Sequence, residues 1–174
     1  CKQFVELAKI ISRAGLNVPK IFATDFERGF LMISDLGNIL YLDRLKEGTG
    51  GEIEKLYGDS LAALLRLQQI KCDLPFFSQD LLLEEMNLFP LWFLERELKI
   101  SNYEESGFKE VSELMLVNAE EQPQVFVHRD YHCRNLMVTC ENNPGIIDFQ
   151  DAVIGPVTYD LVSLLNCLLY TSPS

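Results

Sequence analysis

His128-Arg129-Asp130-Tyr131-His132-Cys133-Arg134-Asn135 is a polar run set between two apolar ones. Before it, Gln124-Val125-Phe126-Val127 reads as a short buried strand. After it, Leu136-Met137-Val138-Thr139 begins a hairpin that turns on Glu141-Asn142-Asn143-Pro144 and returns as Gly145-Ile146-Ile147-Asp148. A loop that leaves one strand and enters another carries Asp130 and Asn135 to one mouth. The hairpin returns Asp148, thirteen residues past Asn135, to the same end. Ile146 and Ile147 drive that last strand into the core, so that its end presents Asp148 outward.

The three side chains make chemical sense together. A carboxylate beside an acceptor hydroxyl can take its proton. An amide oxygen and a second carboxylate are hard donors suited to a metal held on phosphates. The spacing H-R-D-x-x-x-x-N, followed by a second Asp at a strand end, fits the catalytic loop of kinases. On that reading Asp130 is the catalytic base, Asn135 and Asp148 hold Mg²⁺, and ATP is the phosphoryl donor. The alternative is an ordinary strand-end loop with a solvated Asp and Asn.

Working outward, the N-terminal side predicts a helix over 3–14 from Phe4, Val5, Leu7, Ala8, Ile10 and Ile11, stopped at Gly15. Strands follow at 19–24 and 30–34, with a hairpin turn at Glu27-Arg28-Gly29, and Asp35-Leu36-Gly37-Asn38 breaks the pattern. Helices are predicted over 52–70, 79–98 with a bend at Pro90, and 106–121. Three in a row imply a helical subdomain packed on itself. A last helix begins near Val157.

The 174 residues suit one domain, or one large lobe with part of a second. Apolar residues at 48% are enough for a core, and no run is long enough to span a membrane. A net charge of -11 repels phosphate backbones, which argues against nucleic acid as a partner. Five scattered cysteines without a C-x-x-C pair, and two histidines in all, argue for reduced thiols in the cytoplasm over a structural zinc site. The chain opens at Cys1 without an initiator Met and is read as starting inside a longer protein. Its last eight residues, 167–174, resemble the translation of a sequencing-adaptor read-through and are expected to be a non-native tail.

His132, two residues after Asp130, gives the loop the form H-x-D-x-H-x-x-N. That form resembles the aminoglycoside-phosphotransferase and choline-kinase-like families. Asp148-Phe149-Gln150, where protein kinases carry D-F-G, points the same way. The resemblance implies an α+β, protein-kinase-like fold, with a partial N-lobe and hinge at 1–37 and a largely helical C-lobe at 38–166. It implies that Asp160, in Gly155-Pro156-Val157-Thr158-Tyr159-Asp160-Leu161, supports the catalytic loop together with His128 and His132. It implies that backbone around Ser34, Asp35 and Leu36 binds adenine, with Ile33 flanking the base.

Within these families, Glu85-Met86-Asn87-Leu88-Phe89-Pro90-Leu91-Trp92-Phe93-Leu94 resembles the bacterial cell-wall amino-sugar kinases. These phosphorylate N-acetylmuramate and N-acetylglucosamine at the anomeric hydroxyl in peptidoglycan recycling. The resemblance implies an amino sugar as the small-molecule partner, with Glu85 and Trp92 lining its site. An aminoglycoside or another small alcohol as substrate, and an inactive binding module, are the rival readings. No glycine-rich loop and no strand Lys precede the first helix, and Glu6 is the available helix glutamate to pair with such a Lys. The chain by itself is therefore expected to bind ATP weakly and to transfer phosphoryl poorly.

Overall fold

The computed structural model describes residues 1–166, so the expected tail at 167–174 lies outside the described residues. Helix α1 (Lys2–Arg13) buries Val5, Leu7, Ala8 and Ile11, the stripe that helical spacing dictates. It ends in a Schellman turn. Gly15 takes a φ of +78°, its N–H donates to Ser12 O, and Leu16 N–H donates to Ile11 O. Strands β1 (Ile21–Asp25) and β2 (Phe30–Ile33) form an antiparallel hairpin, turned by Gly29 at a φ of +76°.

A seven-residue helix, α2 (Tyr41–Glu47), then packs Tyr41, Leu42 and Leu45 inward. Sequence periodicity missed it because two turns are too short to show a stripe. Helix α3 (Gly50–Gln68) starts on a capping box, where the Glu52 carboxylate accepts the Thr49 N–H at 3.1 Å. Helix α4 (Gln79–Leu88) starts on Ser78, whose hydroxyl accepts the Leu81 N–H. Pro90 does more than bend the expected 79–98 helix. From Phe89 to Glu97 the chain takes π-helical spacing, with Leu98 N–H reaching back to Phe93 O. Proline has no N–H to continue the α-helical ladder, and the wider turn absorbs the mismatch. Helix α5 (Glu105–Glu121) follows.

Strand β3 (Gln124–Val127) pairs antiparallel with β6 (Val153–Pro156), and β4 (Leu136–Met137) with β5 (Gly145–Ile146). Helix α6 (Tyr159–Leu165) closes the described chain. Strand β6 was not expected, since Gly155-Pro156 reads as a break. It survives beside β3 because Gly155 faces Phe77 and Val127 so closely that a Cβ there would sit 3.2–3.3 Å from both.

The three central helices do not pack on one another as one unit. Helix α3 lies against α2, β3 and α6, while α4 pairs with α5. There are accordingly two cores. The main one joins α1, α3, Phe126, Tyr131, Leu136, Ile146 and Phe149. The smaller holds Phe77, Leu82, Leu116, Val127 and Val153. A fully buried Leu or Phe stabilises by roughly 1.5–3 kcal/mol, so these clusters fix the strand ends that carry the polar loop. The element mix is α+β, with three two-stranded sheets among the described residues.

Candidate active site

The polar loop leaves β3 at His128, which is fully buried. The Asp130 N–H lies 3.3 Å from His128 Nδ1, and His128 Nε2 lies 3.0 Å from Ile147 O. Nδ1 therefore accepts and Nε2 carries the hydrogen. Burial pushes the ring pKa down to about 4, so it stays neutral. A single neutral imidazole thus ties Asp130 to the residue before Asp148.

Asp160, at the start of α6, is also fully buried. Its two oxygens accept the N–H groups of His128 at 2.7 Å and Arg129 at 3.1 Å. Burial pushes its pKa up to about 7, against the pull of those two donors. The loop between is strained: Arg129 has a φ of +76° and Asp148 of +64°. Side chains with a Cβ adopt that region at a cost of roughly 1–3 kcal/mol and hold it only where the surroundings enforce it. Here Asp160 does so for Arg129.

Asp130, Asn135 and Asp148 come together. Asn135 Nδ2 donates to Asp130 O at 3.0 Å and lies 3.4 Å from Asp148 Oδ2. Asp130 and Asp148 are exposed, Asn135 is half-buried, and the Gln150 amide donates to Asp148 Oδ1 at 2.8 Å. Behind Asp148, Phe149 is fully buried and stacks on Phe4 of α1, with ring centroids 4.8 Å apart. That stack anchors the strand end so that the carboxylate stays outside. Among the described residues no three His, Cys, Asp or Glu side chains gather as a closed metal cage. With Nδ2 of Asn135 turned to Asp130 O and Asp148, the oxygens these residues have to offer a cation are the other end of the Asn135 amide and the Asp148 carboxylate. Such oxygens suit a hard cation such as Mg²⁺, which keeps waters and takes its remaining oxygens from substrate phosphates.

Next to these groups lies a cleft of about 390 Å³, lined by Ile33, Ser34, Asp35, Leu36, Met137 and Ile147 among others. The four residues expected around adenine are thus on one wall, and Ile147 leads directly to Asp148. Ser34 is committed to structure, because its N–H donates to Lys20 O and its Oγ accepts the Lys20 N–H. Asp35 closes a tight turn by accepting the Gly37 N–H at 2.8 Å, with Gly37 at a φ of +100°.

The remaining residues sit elsewhere. Glu85 accepts from Arg129 Nη2 at 2.8 Å and from the Tyr159 hydroxyl at 2.6 Å. Trp92 is 54% exposed on the π-helical turn, and the Arg96 guanidinium covers its ring at 4.0 Å, so it is not helix core. The His132 backbone N–H donates to Asp130 O at 3.0 Å, while its ring Nδ1 is buried without a partner. Glu6 is exposed on α1. Sequence reasoning gave no role to Tyr159, to the Phe4–Phe149 stack or to the Arg129 side chain, although Arg129 stood inside the quoted loop.

A neutral buried His and a buried carboxylate thus hold the loop that carries Asp130, and Asn135 and Asp148 lie beside it. The chain belongs to the phosphotransferase enzyme family, which matches residues 1–173. It is 45% identical over 168 residues to an N-acetylmuramate/N-acetylglucosamine kinase of Pseudomonas aeruginosa, covering 94% of this chain and 48% of that protein. It is 43% identical over 170 residues to the protein of the same name in Pseudomonas putida, covering 95% and 49%. The chain spans about half the length of these curated relatives.

Among solved structures, it resembles the ADP-bound aminoglycoside phosphotransferase APH(2'')-Ib with a TM-score of 0.65 at 22% identity, covering 97% of this chain and 59% of that one. It resembles the choline kinase LicA from Streptococcus pneumoniae with a TM-score of 0.66 at 15% identity, covering 98% and 57%. The fold is protein-kinase-like.

Proposed function

We propose that this chain belongs to an ATP-dependent kinase that phosphorylates a hydroxyl of an amino sugar, N-acetylmuramate or N-acetylglucosamine. The observation that carries the reading is the gathering of Asp130, Asn135 and Asp148 beside the cleft, with Asn135 within 3.4 Å of Asp148 and bonded to Asp130 O. The 45% identity to a kinase of that name supports the choice of sugar. Residues 1–37 then form part of the smaller lobe and the hinge, and residues 38–166 belong to the larger lobe.

In this reading the cleft holds the adenine between Ile33 and Ile147, with backbone of Asp35 and Leu36 at its edge. Asp130 orients the sugar hydroxyl and accepts its proton as the sugar oxygen bonds to the γ-phosphorus of ATP and the bond from that phosphorus to the bridging oxygen breaks, releasing ADP. Asn135 and Asp148 offer their oxygens to Mg²⁺, which when bound offsets charge on the phosphates. His128 and Asp160 hold the loop and take no proton from the substrate. The need for ATP places the reaction in the cytoplasm.

The -11 charge also suits a cationic aminoglycoside, which is the second reading. Incubating the full-length enzyme carrying this chain with ATP and each candidate acceptor separates the two. Phosphorylated N-acetylglucosamine or N-acetylmuramate is expected. Transfer to aminoglycosides alone would overturn the choice of sugar, and transfer to neither would overturn the kinase reading.

A further inference from the structure

Arg129 stands between His128 and Asp130 and is gripped twice. Its backbone N–H donates to Asp160 Oδ1 at 3.1 Å. Its Nη2 donates to Glu85 Oε1 at 2.8 Å, while the other Glu85 oxygen accepts the Tyr159 hydroxyl at 2.6 Å. Tyr159 and Asp160 are consecutive, so the start of α6 holds Arg129 directly by its backbone and, through Glu85 of α4, by its side chain. Phe77 fills the space between. The guanidinium lies 5.4 Å from its ring centroid and the Tyr159 ring 5.0 Å from it.

The pair is largely withdrawn from water, with side-chain exposures of 25% and 30%. Burial works against the Arg129 charge, but the Glu85 hydrogen bond and charge, with Tyr159 and Asp130 nearby, together outweigh it and raise the pKa. None of these contacts belongs to the cluster of Asp130, Asn135 and Asp148.

We infer that Glu85 and Tyr159 are positioning residues for Asp130, acting through Arg129. The inference rests on the kinase reading for its consequence in catalysis, but not for its geometry. Arg129 keeps its left-handed backbone only while both ends are held. Asp130 is the next residue, and the direction in which its carboxylate leaves the loop follows from that backbone. Each Glu85 oxygen already accepts a hydrogen bond from the protein, which ties Glu85 to the loop. Because α4 runs on into the π-helical turn that carries Trp92, the Glu85–Arg129 pair also links that segment to the catalytic carboxylate.

Glu85→Gln tests this, since Gln keeps the shape and can still accept from Tyr159 but loses the charge that holds Arg129. In the full-length protein, amide hydrogen exchange across Arg129 and Asp130 should quicken by more than any fall in melting midpoint accounts for. That arm needs no turnover. In the full-length enzyme, kcat should fall about 10–100-fold with KM for ATP and for the sugar unchanged, as expected for a misplaced reacting group. Arg129→Lys, which keeps the charge but not the planar fork, should fall in between.

The inference is overturned if exchange quickens by no more than the fall in melting midpoint accounts for. It is also overturned if kcat falls only as far as the melting midpoint does, or if KM for the sugar rises with kcat retained, which would make Glu85 a substrate ligand. Should the unaltered enzyme phosphorylate no sugar, the proposed function fails, and the exchange arm still decides whether Glu85 holds the loop.

Discussion

Asp160 Oδ2 accepts the His128 N–H at 2.7 Å, a buried carboxylate on α6 holding the first residue of the polar loop. The neighbouring oxygen holds Arg129. Asp160→Asn puts an amide NH₂ against one of those two N–H groups and leaves a buried donor unsatisfied. The expected cost is about 1–3 kcal/mol, read from the shift in the urea midpoint at pH 7. An unchanged midpoint would show that the two bonds do not support the loop.

The pH dependence carries a sharper signature. Burial pushes Asp160 up to about 7 from an ordinary 3.8, so the folded chain binds that proton more readily than the unfolded one. Its contribution is fully present below about pH 4 and is lost as pH rises to 7. Burial pushes His128 down to about 4 from 6.5, so its contribution is present above 6.5 and is lost as pH falls to 4. Between pH 4 and 6.5 the two oppose, each with a slope of at most about 1.4 kcal/mol per pH unit. Asp160→Asn removes one arm. Its stability should therefore climb with pH more steeply than that of the unaltered chain, measured by urea midpoints at pH 4.5, 5.5 and 6.5. Parallel curves would contradict the account.

Asp148 holds a φ of +64°, which Asn tolerates better than other side chains with a Cβ. Asp148→Asn should thus keep the fold while removing the charge offered to the metal. Mg²⁺-dependent ATP affinity of the full-length enzyme should fall by at least about tenfold, since even residues behind metal ligands cost that much. Calorimetric titration with and without Mg²⁺ measures it. Equal affinity in both forms would take Asp148 out of the metal site.

Gly145 lies against Leu36 and Met137, which line the cleft of about 390 Å³. A Cβ there would meet Leu36 Cδ1 at 3.0 Å and Met137 Cβ and Thr139 Cγ2 at 3.2 Å. Gly145→Ala is expected to destabilise by about 1–3 kcal/mol through overpacking and to weaken ATP binding by displacing Leu36. A melting midpoint and an ATP affinity that both stay put would show that the wall yields freely.

Much of this arrangement was legible in the sequence because it depends on local order. Asp130 follows the apolar strand β3, Asn135 precedes β4 and Asp148 follows β5, so one short loop and one hairpin bring the three back to the same place. Helix α1 and its stop at Gly15 were legible for the same reason, a stripe followed by the one residue that favours positive φ. What stayed hidden depends on pairing at a distance. The partner of β3 is β6, whose Gly155 and Pro156 look like a break until Phe77 is seen against them. The tie between Glu85 and Arg129 was hidden because nothing in the sequence announces that Arg129, 44 residues on, reaches back to Glu85. The division of the helices between two cores was hidden too, since an amphipathic stripe says that a face is buried but not against what.

The central claim is that Asp130 takes part in phosphoryl transfer from the place the loop gives it. The most direct test is the turnover number of the full-length enzyme carrying Asp130→Asn, with ATP and N-acetylglucosamine both saturating and the melting midpoint and ATP affinity checked alongside. The account predicts a fall of about 10²–10⁴-fold with midpoint and ATP affinity unchanged, because the Asp130 side chain is exposed and lies outside both cores. Turnover close to that of the unaltered enzyme would contradict it.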